Sequence, residues 1–251
     1  MAMESDISAV MLAEQTAWLY ANTALNPCIS RHIQQVLACD TLWVYTTQKP
    51  LPTAYLTPAE QLVYTQWANK KRQRSWLLGR TLLKYLALQH PTVVSAGCVN
   101  ALNTPAVWQF PHSYVSLSHT ATTAYLLVNT AVVPQPLFYV GLDVEPLVRK
   151  PLSNKALRYL LSPVENHAYQ KRVAQAPHIR WDLQYWTMKE ALYKATPLPY
   201  QQCLALSHWQ IQSLNRAGVC IQQHCFTART ATVTSGADVF SIALVQHAST
   251  K

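Results

Sequence analysis

The segment Val140-Gly141-Leu142-Asp143-Val144-Glu145-Pro146 sets two carboxylates two residues apart in an otherwise apolar run. Read as a β-strand, it turns Val140, Leu142 and Val144 one way and Gly141, Asp143 and Glu145 the other. Side chains at i and i+2 stand about 6–7 Å apart along a strand, so this pair can converge on a hard cation such as Mg²⁺. Gly141, with no side chain, leaves room beside them for a ligand. The competing reading is an amphipathic edge strand with a solvated acidic face, and this motif alone slightly favours it.

A second segment, Trp186-Thr187-Met188-Lys189-Glu190-Ala191-Leu192-Tyr193-Lys194-Ala195, has helical spacing. At about 100° per residue, Trp186, Lys189, Glu190 and Lys194 fall within roughly 140° of arc, opposite Met188, Ala191, Leu192 and Ala195. A Glu190–Lys194 pair at i,i+4 is ordinarily a surface ion pair worth about 0.3–0.5 kcal/mol. A Trp on the charged face argues that the face abuts something. The chain has only 11 acidic residues, and these two segments hold three of them.

Two more segments carry polar chemistry. Ser116-Leu117-Ser118-His119-Thr120 reads as a polar turn between apolar strands. A His there is an ordinary turn residue, yet suited to donate a hydrogen bond to phosphate. Lys70-Lys71-Arg72-Gln73-Arg74 is followed by Arg80 and Lys84, the last two at i,i+4. This is a solvated basic helix or a site for a polyphosphate or an acidic partner.

The elements that must position these groups recur in order. A helix over 4–21 and a strand over 42–46 precede Thr57-Pro58-Ala59-Glu60, which has the cap, proline and glutamate of a helix start. A helix over 70–89 closes before Pro91, and strands follow at 115–117 and 124–128. Pro134 and Pro136 then interrupt the chain. Beyond them come a strand over 138–144, helices over 152–173 and 181–196, and strands near 206–214, 219–226 and 239–246. The expectation is an α+β protein of two units, 1–135 and 136–251.

The composition bounds the rest. Half of the 251 residues are hydrophobic and 12% are charged, which suits a globular core and excludes disorder. The five glycines form neither a G-x-G-x-x-G nor a Walker A loop. A net charge of +9 favours acidic partners without choosing among them. The six cysteines match no zinc or disulfide spacing and read as packing thiols of a cytoplasmic protein. The first residues, Met-Ala-Met-Glu-Ser-Asp, lack the basic start of a secretory signal. No run approaches the about 20 apolar residues that span a bilayer, so no membrane partner is expected.

Taken in order, the segments resemble the 4′-phosphopantetheinyl transferase superfamily. That family is marked by G-(I/V/L)-D-(V/I)-E and, further on, W-x-x-K-E-(A/S)-x-x-K. Here these stand as Gly141-Leu142-Asp143-Val144-Glu145 and Trp186-x-x-Lys189-Glu190-Ala191-x-x-Lys194. Val115-Ser116-Leu117-Ser118-His119-Thr120 is similar to its S-L-S-H-S turn, Leu78-Gly79-Arg80-Thr81-Leu82-Leu83-Lys84 to its arginine-bearing helix, and Leu161-Ser162-Pro163-x-Glu165 to its F-S-x-x-E segment. The family's G-K-P segment is reduced to Asn103-Thr104-Pro105, so no coenzyme contact is carried over from it.

Length and motif form resemble the larger, surfactin-synthetase-activating type. That implies a monomeric, pseudo-dimeric fold of two similar subdomains joined near 131–137, with the active site in the cleft between them. The implied reaction moves 4′-phosphopantetheine from coenzyme A to a serine of an apo acyl or peptidyl carrier protein, as holo-acyl-carrier-protein synthases do. By the same resemblance, Asp143, Glu145 and Glu190 hold Mg²⁺, and Glu190, or failing it Glu145, is the general base. Lys194 supports the leaving group, Ser118, Lys189 and His119 meet coenzyme A at its phosphates, and Arg80, with Arg72 or Arg74, meets the 3′-phosphate. The rivals are a magnesium-dependent nuclease, against which stands the helical Glu190–Lys194 spacing, and a basic nucleic-acid-binding module, for which no fold signature is present.

Overall fold

The computed structural model describes residues 2–89, 107–110, 113–130, 139–221 and 224–248. Helix α1 (Ala2–Asn22), β1 (Ala24–Leu25), α2 (Pro27–Leu37), β2 (Leu42–Thr47), α3 (Pro58–Gln66) and α4 (Lys70–Gln89) lead into β3 (Val107–Phe110), β4 (Ser113–His119) and β5 (Ala124–Asn129). These strands form an antiparallel sheet in the order β1-β2-β5-β4-β3. Strand β6 (Tyr139–Pro146) is followed by α5 (Asn154–Leu160), α6 (Pro163–Gln175), α7 (Trp181–Ala195) and α8 (Leu198–Gln201). Then come β7 (Gln210–Ser213), β8 (Arg216–Ile221), β9 (His224–Ser235) and β10 (Asp238–His247), and the second antiparallel sheet runs β6-β10-β9-β8-β7.

In both sheets a strand that precedes a set of helices pairs with the last strand to follow them: β2 with β5, and β6 with β10. The mixed α+β class and the recurring element order are therefore present. The expected junction at 131–137 and the Asn103-Thr104-Pro105 segment lie outside the described residues.

Local chemistry accounts for several boundaries. The Thr57 hydroxyl accepts from the Glu60 amide at 3.2 Å, and the Glu60 carboxylate accepts from the Thr57 amide at 2.9 Å. Ser162 and Glu165 repeat the device at 3.3 and 2.8 Å. That second cap divides the single helix expected over 152–173 into α5 and α6. The strand expected over 219–226 is instead the meeting of two, since β8 and β9 pair as a hairpin through this stretch. Helix α2 is an addition: Asn26 caps the Ile29 amide, and Ala38 ends the helix in the left-handed region at φ 48°. Its Ile29, Ile33 and Leu37 lie at i,i+4 and are all buried.

Those three residues join Val44, Leu127, Val140, Leu142, Val144 and Ile242 in one hydrophobic cluster that spans both sheets. The sheets also meet through hydroxyls. Ser116 accepts from the Leu142 amide at 2.9 Å and Ser118 from the Val144 amide at 3.1 Å. Strand β6 is the edge of its sheet, so the serines of β4 satisfy backbone donors that would otherwise lie buried and unpaired.

The cysteines depart from expectation. Cys220 and Cys225 face each other across β8 and β9 with Cα atoms 4.1 Å apart and form a disulfide. Cys28 and Cys203 are exposed and are not packing residues. Cys98 lies outside the described residues.

Helix α7 is anchored at its start by Arg180 and Asp182. Asp182 accepts from the Leu152 amide at 2.9 Å and from the Arg180 guanidinium at 2.9 and 3.0 Å, while Arg180 donates to the carbonyls of Leu147 and Arg149. Burial pushes the Asp182 carboxyl up, but the bonds from Arg180 and Leu152 outweigh it and leave it below its ordinary value. A depressed carboxyl stabilises the fold fully above the unfolded value of about 4, and the contribution fades as pH falls through the folded value. Asp182→Asn should cost about 1–3 kcal/mol at neutral pH and flatten the pH dependence of stability below about pH 4. Urea unfolding at several pH values checks this.

Candidate active site

The acidic face of β6 is covered by α7. A side chain at Gly141 would overlap the Ala191 carbonyl and stand 2.8 Å from the Ala195 backbone nitrogen. The absence of a side chain thus seats a helix and leaves no ligand space there, correcting the expectation for Gly141. Close backbone packing carries Trp186, Glu190 and Lys194 over Asp143 and Glu145. A solvated edge is excluded, because Asp143 is only 6% exposed.

Asp143 Oδ1 accepts from Lys194 Nζ at 2.7 Å and from Ser118 Oγ at 3.1 Å. Its Oδ2 is buried with no hydrogen-bond partner. Lys194 Nζ also donates to the Leu142 carbonyl at 3.1 Å, so its ion pair crosses elements and is not the local one with Glu190. Glu145 Oε1 accepts from Trp186 Nε1 at 3.1 Å and from the Arg149 guanidinium, which lies over the Trp186 ring. The abutting surface implied by an apolar ring on a charged face is therefore β6 and its carboxylate.

The electrostatics are shared. Burial raises the Glu190 carboxyl above its ordinary value, and the charges of Asp143 and Glu145 add to the rise against Lys194 and Arg149. Glu145 is raised by burial and by Asp143, against Arg149 and Trp186. Partial desolvation lowers the His119 imidazole, although the residue keeps an exposed edge, and the Lys194 charge lowers it further, with Asp143 opposing. Four expected residues, Asp143, Glu145, Glu190 and Lys194, meet here, with Ser118 in contact and His119 within their field.

The other expected residues are placed elsewhere. Lys189 is fully buried, pairs with Glu165 at 2.8 Å and donates to the Trp209 carbonyl, so it does not face the carboxylates. Glu165 also accepts from the Ile211 amide at 2.7 Å. The pair fastens α6 to α7 and β7, which corrects the phosphate role expected of Lys189. Removing one partner of a buried ion pair costs about 3–5 kcal/mol. Lys189→Ala should lose that much stability in urea unfolding, where a phosphate ligand would lose coenzyme affinity with stability intact.

Arg80 is buried on α4, with its guanidinium over the Trp76 ring at 5.0 Å and within the field of Glu60. Lys84 pairs with the same Glu60 at 2.8 Å. Arg72 is exposed and stacks on Trp67 at 3.5 Å, and Arg74, also exposed, donates to the Gln48 carbonyl. Arg149 joins the site without being foreseen there. Reading β4 through to His119 would have put Ser116 and Ser118 on one strand face. Arg149 follows Pro146, beyond the strand period, and carried no signal.

Among the described residues, no group of three or more His, Cys, Asp and Glu side chains stands at metal-binding spacing. The donor chemistry still suits a hard divalent cation: three carboxylates in one field, one with a buried oxygen awaiting a partner.

Residues 139–245 match the family model of the 4′-phosphopantetheinyl transferase superfamily. The matched segment runs from the start of β6 into β10 and contains Asp143, Glu145, Glu190 and Lys194. A search of curated proteins gives no match. The matched segment supplies all three of these carboxylates, while Ser118 reaches them from β4 outside that segment. No helix among the described residues is long and apolar enough to cross a membrane.

Proposed function

We propose that the protein transfers 4′-phosphopantetheine from coenzyme A to a serine hydroxyl of an apo acyl or peptidyl carrier protein, releasing adenosine 3′,5′-bisphosphate. The observation that carries this is Asp143, with a buried unpartnered oxygen, set in one field with Glu145 and Glu190 inside the superfamily segment. Asp143, Glu145 and Glu190 would hold Mg²⁺, which when bound neutralises negative charge on the pyrophosphate.

The chain's own groups then have distinct tasks. Glu190 takes the proton of the carrier serine as its oxygen bonds to phosphorus and the pyrophosphate bond breaks. A carboxyl raised by burial and by two neighbouring charges is a better base than a free one. Glu145 is the second choice, since Trp186 and Arg149 already hold one of its oxygens. Lys194, held by Asp143 and the Leu142 carbonyl, lends positive charge to the departing phosphate. His119, lowered toward the neutral form, offers a hydrogen bond to a phosphate oxygen. Arg80, with Arg72 or Arg74 at the start of α4, supplies charge for the 3′-phosphate of coenzyme A, while Lys84 ties α4 to α3 through Glu60.

In the same reading the two sheets are halves of a pseudo-dimer, divided near residue 135, and the protein acts as a monomer in the cytoplasm. A reducing compartment would keep Cys220 and Cys225 as thiols. The test incubates the protein with coenzyme A, Mg²⁺ and a panel of apo carrier proteins, followed by intact-mass spectrometry. At least one carrier should gain the phosphopantetheine mass. No gain on any carrier, with DNA cleaved under the same conditions, would replace the transferase by a nuclease.

A further inference from the structure

The second sheet carries a cavity of about 310 Å³ on the face that packs against α2, lined by Arg216, Arg229, Thr227, Gln246, Gln212 and Leu244, with Ala217 and Ala228. Helix α2 ends at Leu37, and the Leu37 carbonyl accepts from Arg229. The cavity therefore opens where the helix stops covering the sheet.

Its chemistry follows from the register. Arg216 and Arg229 are directly opposite on β8 and β9, so two like charges share one face. Among the described residues lining the cavity none is acidic. Leu244 pairs with Arg229 and Gln246 with Thr227, which sets an apolar and a polar row side by side. Gly218 pairs with Thr227 in the polar row, and a side chain there would come within 3.3 Å of the Gln212 amide nitrogen. A glycine inside a strand marks a place where something approaches the backbone.

We propose that this cavity is a binding site for a small phosphate monoester. Two guanidinium groups, two side-chain amides and a hydroxyl are enough donors for the three oxygens of a phosphate, more than a carboxylate can use. Arg229 is held in place by the end of α2, so one fork is already oriented. Leu244 gives the ester's apolar body a surface, the side chains of Ala217 and Ala228 being turned into the core on the other face, and the volume is at the small end of ligand pockets. The alternative of two unrelated solvated arginines does not account for their cross-strand pairing beside a glycine and a cavity.

The site is separate from the carboxylate centre, and calorimetry on the full chain with phenyl phosphate distinguishes the two. Wild-type protein should bind one equivalent saturably at low salt, with benzoate at least ten-fold weaker. Arg216→Gln, an exposed change, should weaken phenyl phosphate at least ten-fold and abolish the rise in melting temperature it produces. Asp143→Asn should leave the binding unchanged, and Arg216→Gln should load carriers at the wild-type rate. Absence of saturable binding, equal affinity in Arg216→Gln, or binding lost only in Asp143→Asn would each overturn the proposal.

Discussion

Glu190→Gln should slow carrier loading by about 10³-fold, the middle of the range for removing a general base, while the protein stays folded. The amide keeps the shape of the carboxylate and discards its charge and basicity. Glu190 is raised by burial and by Asp143 and Glu145, so neutralising it relieves like-charge repulsion. The unfolding midpoint should therefore hold or rise, which separates a catalytic loss from a folding defect. Single-turnover loading followed by mass spectrometry measures the rate. A variant within three-fold of wild type would transfer the base role to Glu145. Asp143→Asn should be comparably slow for a different reason: it disturbs the partner of Lys194 and Ser118 and removes a carboxylate proposed to hold the cation.

A large structural effect should also come from a single methyl group. Gly141→Ala places a carbon against the Ala191 carbonyl and the Ala195 nitrogen, both of them helix backbone. Flexible side chains can turn aside, but a helix backbone moves only as a unit. Overpacking typically costs about 1–3 kcal/mol, and contacts this short against backbone put Gly141→Ala at the upper end. Lifting α7 from β6 would also separate Glu190 and Lys194 from Asp143, so loading should fall together with stability. Urea unfolding followed by circular dichroism tests the first effect and carrier loading the second. Gly79→Ala is the control, since the nearest atom to its added carbon is Leu117 Cδ1 at 3.8 Å and α4 should gain about 0.5–1 kcal/mol. If Gly141→Ala stays within 1 kcal/mol of wild type, the close seating of α7 is refuted.

The two glycines show how far a sequence alone carries this protein. Periods and caps are local, and they were legible. The alternation through β6 put Asp143 and Glu145 on one face, and helical spacing put Glu190 and Lys194 together. Thr57 and Glu60 marked the start of α3, and α4 spans the expected 70–89. Each depends on neighbours within about four residues, where backbone geometry dictates who shares a side.

What those sides meet is another matter. Lys189 lies within the same arc as Glu190, yet the docking angle of α7 sends it to Glu165 and the Trp209 carbonyl. Lys194 had a partner one helical turn away and takes Asp143, because close packing on Gly141 brings that buried carboxylate within 2.7 Å of its ammonium. Cys220 and Cys225 become opposite only through the register of β8 and β9. Local periodicity determined which residues could act together, and long-range packing decided which ones face each other. Burial strengthens a cross-element charge contact that water would have screened.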